Sequence, residues 1–295
     1  MIGGVSQPTP PRGPRAETRE VAELRALKAR QPDLAAYIDM HLELIEQSRR
    51  IQTRIPLPWF ELNSDKLAKH QAEGRPIVRF EDIPLELTDL RLLVRQTADT
   101  LRRHGELDDA DYAQVQNIGR DMKLLALAGE WYRRTSERPA AAGIGNVAPS
   151  TETRESGMLD QVLAIAMRPF LSRCAEVLQR MELSAWTHGF CPLCGGEPDF
   201  AEITPSAERR LICSRCSLHW KFESLTCPFC NNSDRSRITS FATHDGQYRV
   251  YACDVCQRYL KAYDGRRAPR QVMHLVDTLA TLPLDAAAQQ RGYSG

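Results

Sequence analysis

The chain has 295 residues, 42% of them hydrophobic and 26% charged, with 39 lysines and arginines against 38 aspartates and glutamates and a formal net charge of +1. This is the composition of a soluble globular protein with room for one large or two ordinary domains. The balanced charge gives no electrostatic case for nucleic acid or an anionic membrane as partner, so nucleic acid is not expected. No apolar run reaches the length of a membrane span.

Residues 1–16, "MIGGVSQPTPPRGPRA", hold four prolines and lack the apolar stretch of a secretory signal. They read as a disordered tail, and the expected compartment is the cytoplasm. From 17 to 183 the apolar residues recur at three and four, which predicts an α-helical domain. "ETREVAELRALKAR" and "LAAYIDMHLELIEQSRRI" form two helices broken at "QPD", with Asp33 placed to cap the second. In "IPLPWFEL", Pro56 and Pro58 break the pattern and leave Trp59 and Phe60 to dock on the bundle or on a partner, with the bundle favoured. "PLELTDLRLLVRQTADTLRRHG" puts Leu87, Leu90, Val94, Ala98 and Leu101 on one stripe, with Pro84 before the helix and Gly105 placed to end it. "DADYAQVQNIGRDMKLLALAGEWYRR" continues the helical pattern, and a flexible connection follows over about 136–156. "MLDQVLAIAMRPFLSRCAEVLQRM" closes the domain, with Pro169 marking a kink or a junction and Cys174 expected as a small buried hydrophobe.

Beyond Trp186 the helical period stops, and short strand-like segments such as "RRLIC" and "QYRVYAC" lead into cysteine pairs. Asp245-Gly246 reads as the tight turn of a hairpin. Eight of the nine cysteines form four Cys-x-x-Cys pairs within 66 residues: Cys191 and Cys194, Cys213 and Cys216, Cys227 and Cys230, Cys253 and Cys256. In a reducing compartment such clustered thiols are metal ligands rather than disulfides. Pairing in order gives C-x2-C-x18-C-x2-C and C-x2-C-x22-C-x2-C, and the two stretches repeat one another. The alternative joins Cys213 and Cys216 with Cys227 and Cys230 across ten residues and breaks that repeat. Gly195 and Asn231, each following a second cysteine, suit the left-handed backbone such turns need. Each unit is too small to fold on apolar burial alone, so a structural metal, which contributes on the order of 10 to 16 kcal/mol in comparable modules, is part of the fold.

The expected cofactors are two metal ions, one for Cys191, Cys194, Cys213 and Cys216 and one for Cys227, Cys230, Cys253 and Cys256. Zinc and iron fit equally. Four sulfurs leave no open position for substrate, which disfavours metal hydrolysis; thiol redox chemistry is a minor reading. Arg209, Arg210, Arg215, Lys221 and Arg258 are candidates to balance the thiolate charge. His188, His219, His244 and His274 are expected in surface or packing roles. No phosphate loop, nucleophile elbow or paired carboxylate motif names a reaction, so no enzyme is expected.

"RPFL", "CPLCGGEP", "LICSRCSLHW", "CPFCNN" and "YACDVCQRYLK" after a helical half resemble the formate dehydrogenase accessory proteins of the FdhE family. The resemblance implies an α+β chain in which an α-helical domain precedes two tandem rubredoxin-like modules, here 184–222 and 223–267. The segment 268–295 is then expected to be helical and docked. It further implies a maturation factor that contacts the catalytic subunit of formate dehydrogenase without becoming part of the enzyme. The competing readings are a zinc-ribbon protein for nucleic acid and a rubredoxin-like electron carrier. The 13 basic against 11 acidic residues from 184 to 295 argue against phosphate contacts.

Overall fold

The computed structural model describes residues 17–61, 63–136, 154–181, 183, 185–268 and 270–295. The proline-rich tail and most of the expected flexible connection therefore lie outside the described residues. A helical region comes first: α1 (Arg19–Arg30), α2 (Ala35–Gln52), α3 (Ser64–Glu73), α4 (Leu87–Arg103), α5 (Asp109–Arg120), α6 (Leu124–Ser136) and α7 (Arg154–Leu178). A sheet follows, with β1 (Pro198–Ile203), β2 (Arg209–Cys213), β3 (His219–Lys221), β4 (Ile238–Ala242), β5 (Tyr248–Cys253) and β6 (Arg258–Asp264). Two short helices, α8 (His274–Ala280) and α9 (Leu282–Gln290), end the chain.

The helices form where the apolar period is strongest. On α4 the stripe Leu90, Val94, Ala98 and Leu101 is buried together with Leu93, against α2, α5 and α7. Helix α7 is apolar on most of its circumference, with Val162, Leu163, Ala166, Met167, Phe170, Leu171 and Cys174 all buried, so it occupies the centre of the bundle. Pro169 lies within this single helix and does not divide it. Cys174 packs as an apolar group, and burial pushes its thiol up to about 12.

Three local expectations are corrected. Asp33 does not cap α2: it falls inside a 3-10 turn, Pro32–Leu34, that runs directly into the helix, and no side chain caps the α2 terminus. Trp59 does not dock on the bundle; it is 83% exposed, whereas Phe60 packs on the core. Pro56 and Pro58 keep this segment out of helical geometry, and successive side chains of an extended backbone point to opposite sides. The β4–β5 loop is not a two-residue turn either. Only Gly246 has positive φ, and Asp245 Oδ1 accepts from Thr243 Oγ1 at 2.6 Å and from Gln247 N at 3.0 Å, which holds a longer loop.

The sheet order is β3-β2-β1-β6-β5-β4. Within each cysteine repeat the strands pair antiparallel, and the repeats join where β1 runs parallel to β6, with Phe200 beside Lys261 and Ile203 beside Asp264. The first strand of one repeat thus meets the last strand of the other, making one continuous sheet. The C-terminal helices clasp it. On α8, Val276 and Leu279 pack with Leu24, Leu27 and Ile38 of the first two helices. The buried Asp277 carboxylate accepts from Tyr248 Oη at 2.8 Å, Arg270 Nη2 at 2.6 Å and Met273 N at 2.7 Å. Lys261 Nζ reaches Asp285 Oδ2 of α9 at 2.6 Å.

Asp264 closes β6 with a fully buried carboxylate gripped by Arg266 and by Arg249 Nε at 2.9 Å. The Arg266 hydrogen bonds hold its carboxyl far below the usual range. Asp264→Asn should cost about 3 kcal/mol in urea unfolding at neutral pH, because it leaves two guanidinium groups without their counter-charge. A depressed carboxyl stabilises the fold fully above its unfolded pKa of about 3.9. The gap between wild type and variant should therefore hold at neutral pH and close as pH falls below about 4; a gap that widens with acid would contradict this account.

Candidate metal centres

Each Cys-x-x-Cys is closed by the amide of the residue after it, which donates to the carbonyl of the first cysteine. The four bonds are Gly195 N to Cys191 O and Asn231 N to Cys227 O at 2.9 Å, Ser217 N to Cys213 O at 3.1 Å, and Gln257 N to Cys253 O at 2.9 Å. All four donors have positive φ, between +56° and +69°. Left-handed backbone at Gly195 and Asn231 follows from residue type. At Ser217 and Gln257 it does not, and only the repeat of the motif could have revealed it. A second bond returns the chain to its strand, with Cys191 N donating to Gly196 O at 2.8 Å, Cys213 N to Leu218 O at 3.0 Å and Cys227 N to Asn232 O at 2.9 Å.

These turns face each other in pairs. Cys191, Cys194, Cys213 and Cys216 form one cluster, and Cys227, Cys230, Cys253 and Cys256 the other, with the four sulfurs of each within 4.8 Å of one another. The closest separations are 3.5 Å for Cys191–Cys216 and Cys194–Cys213, 3.8 Å for Cys194–Cys216, 3.6 Å for Cys227–Cys256 and 3.7 Å for Cys230–Cys253. A disulfide needs about 2.05 Å, so these are free thiols. A tetrahedral ion with sulfur at about 2.3 Å requires sulfurs about 3.8 Å apart. Each cluster can therefore hold a metal ion. The pairing of the second Cys-x-x-Cys with the third is not formed.

The surroundings carry the charge such a site needs. As protein groups alone, the sulfurs of the first cluster resist joint ionisation. Burial pushes the Cys191 and Cys216 thiols well up, while hydrogen bonds from the neighbouring thiols hold Cys194 well below the usual range. The Arg215 amide donates to Cys213 Sγ at 3.4 Å. In the second cluster the amides of Phe229 and Cys230 donate to Cys227, and those of Val255 and Cys256 to Cys253. Such amides favour the thiolate form.

The two clusters differ in their cover. In the first, all four cysteines are at most 1% exposed. Ile77 N and Val78 N pair with Pro192 O and Leu193 O at 2.8 and 3.0 Å, and Tyr132 Oη donates to Val78 O at 2.8 Å. Arg168 Nη2 donates to Ser214 O at 2.6 Å, and Arg215 lies over the Trp131 ring and donates to Thr135 O. A Cβ at Gly195 would stand 2.6 Å from Ser136 O, so only glycine lets α6 approach this turn. In the second cluster Cys227 and Cys253 are buried, but Cys230 and Cys256 are only half-buried. The chain ahead of the first turn touches it: a Cβ at Gly189 would fall 2.0 Å from Pro228 O.

The candidate counter-charges divide accordingly. Arg215 sits at the first cluster, and the buried Arg209 donates to Thr226 O beside the second. Arg258 lies 3.7 Å over the Phe229 ring and pairs with Glu197 at 2.8 Å. Lys221 and Arg210 point outward to Glu208. No histidine belongs to either cluster among the described residues. His188 packs between Trp186 and Phe190. His219 faces Glu202. His274 bridges Ser217 Oγ at 3.2 Å and Asp199 Oδ1 at 2.7 Å, which ties α8 to the first cluster.

Part of the sequence and most of the fold are similar to those of known proteins. Protein FdhE of Escherichia coli is 31% identical over 108 residues, which cover 36% of this chain and 35% of that protein. Protein FdhE of Shigella boydii and of Escherichia fergusonii match to the same extent at the same identity. The matched region thus spans about a third of the length of these curated relatives. The crystal structure of the FdhE protein from Pseudomonas aeruginosa has the same fold, with a TM-score of 0.61 over 93% of this chain and 91% of that chain at 20% identity. The sequence comparison is thus a similarity to FdhE proteins over about a third of the chain, and the structural comparison a likeness of fold. No family model matches the chain. In this chain the fold joins a helical region to a sheet that carries two four-cysteine clusters.

The unequal cover has a measurable consequence. An excess of chelator should remove one ion at least about tenfold faster than the other, since release requires local opening of whatever lies over the sulfurs. Cys253→Ser/Cys256→Ser should remove the fast phase and keep the slow one. A single phase for the wild type, with both ions leaving together, would refute the difference.

Proposed function

We propose that this chain is a cytoplasmic accessory factor for the maturation of formate dehydrogenase and not itself an enzyme. In this reading Cys191, Cys194, Cys213 and Cys216 ligate one ion, zinc or iron, and Cys227, Cys230, Cys253 and Cys256 a second. Residues 17–183 serve as the helical domain, 184–222 and 223–267 as the metal modules, and 268–295 as the docked C-terminal segment. The catalytic subunit of formate dehydrogenase is the proposed partner. The observation that carries the reading is the FdhE fold over nearly the whole chain, with two tetrathiol clusters whose spacing suits a tetrahedral ion.

A bound ion would supply the positive charge that gathers four thiolates and would leave no position for substrate. The residues then act by holding shape: the four left-handed turns aim the sulfurs, and the strands between them extend each clamp into one sheet. No described helix is long and apolar enough to cross a membrane. The half-buried Cys230 and Cys256 also favour a second reading, in which bound iron passes an electron at that edge.

Metal analysis should find two ions per chain, and an absorption spectrum separates iron, with thiolate bands, from colourless zinc. Cys227→Ser/Cys230→Ser should retain one ion, lower the stability of the C-terminal half, and leave cells carrying only this variant without active formate dehydrogenase. Normal formate dehydrogenase activity in those cells would overturn the proposal.

A further inference from the structure

We propose that the cleft between α4 and α5 is a docking site for an acidic polypeptide segment bearing an apolar side chain. The cleft is open, with a volume of about 490 Å³, and is lined by Thr88, Arg91, Leu92, Arg95, Gly119 and Arg120. Three of these six residues are arginines and none is acidic. Arg91 and Arg95 are one turn apart on α4, where like charges destabilise a helix unless something opposite lies between them.

The carboxylates of the surrounding surface are engaged elsewhere. Asp89 pairs with Arg54 at 2.7 Å, Asp99 accepts from Tyr112 and Gln116, and Asp109 pairs with Arg102 at 2.8 Å. Asp121 accepts from the Lys123 amide. Neither Arg95 nor Arg120 forms an ion pair with a described residue, and both are exposed. Arg91 is different: its Nη2 donates to Asp121 O and contacts Met122 Sδ, both at 3.2 Å, while its Nε is buried without a hydrogen-bond partner. One guanidinium is thus fixed in place with a donor unsatisfied, and two more stand free to close on an anion.

The neighbours select the kind of anion. Leu92 is 39% exposed within the cleft, and Met122, against Arg91, is 74% exposed. An apolar surface beside guanidinium groups suits a peptide that offers carboxylates to the arginines and one apolar side chain to Leu92 and Met122. A phosphate ligand would engage the arginines alone and leave Leu92 and Met122 in water; of the lining residues, Thr88 lies in the first turn of α4 and Arg120 in the last turn of α5. This inference does not rest on which enzyme the chain serves.

The test uses the full-length protein and a fluorescein-labelled peptide of alternating glutamates and leucines, followed by anisotropy at low salt. Saturable binding is expected, weakened about tenfold or more by Arg95→Glu/Arg120→Glu. The reversal of two exposed arginines elsewhere, Arg30→Glu/Arg235→Glu, should leave the affinity unchanged. Unaltered circular dichroism and melting temperature would show that the cleft variant is folded. No saturable binding, equal weakening by both double variants, or displacement of the peptide by equimolar pyrophosphate would each overturn the proposal.

Discussion

Four sulfurs held within 4.8 Å of one another, with almost no access to water in the first cluster, constrain everything around them. Such a group cannot carry four negative charges without a cation at its centre, nor can it be dispersed without undoing the turns that aim it. The strands attached to those turns have three to seven residues, too few to make a stable sheet from their own burial. The ribbons follow from the sulfur clusters, and the sheet follows from the ribbons.

The two repeats begin from the same local chemistry and end in different environments. After the second cysteine of the first turn stands Gly195, and its missing side chain admits Ser136 O from the end of α6. The matching position in the second repeat is Asn231, which satisfies the same backbone angle but is exposed. A side chain there keeps other backbone at a distance. One residue type at an equivalent position thus accompanies a cluster sealed into the bundle in one case and a cluster left at the rim in the other. The helical region contributes Tyr132, Arg168 and the Pro76–Val78 segment to the cover of the first cluster.

Much of this was legible in the chain itself, for reasons that differ by element. The α4 stripe could be read because burial on one helical face requires a period near 3.6, and Leu90, Val94, Ala98 and Leu101 supply it. The cysteine groups could be read because ligand spacing repeats. What escaped depends on distant partners or on neighbours that compete locally. Asp33 has the right chemistry for a cap, but Pro32 starts a 3-10 turn that leaves it outside the helix terminus. Trp59 and Phe60 look equally apolar in sequence, and only the extended backbone decides which of them faces inward. The β1–β6 pairing has no local signature at all, since it joins residues 61 positions apart through backbone bonds. The cleft arginines were invisible for a related reason: Arg91 and Arg95 mark one helix, but Arg120 joins them only through the packing of α5 on α4.

The parallel junction also determines how the two clusters influence each other. Because β1 leads out of the first cluster and β6 out of the second, their shared register joins the two ribbons directly. Asp264 reinforces this at the end of β6, where Gly265 N donates to Ile203 O at 2.8 Å. The C-terminal helices extend the same coupling to the bundle, through Val276 and Leu279 on α1 and through Asp285 on Lys261. The sheet thus links one fully buried and one partly exposed sulfur cluster. An ion held at the second cluster would fix the start of β6, whose Lys261 is tied to Asp285 of α9, so the position of a few sulfurs bears on a much larger surface.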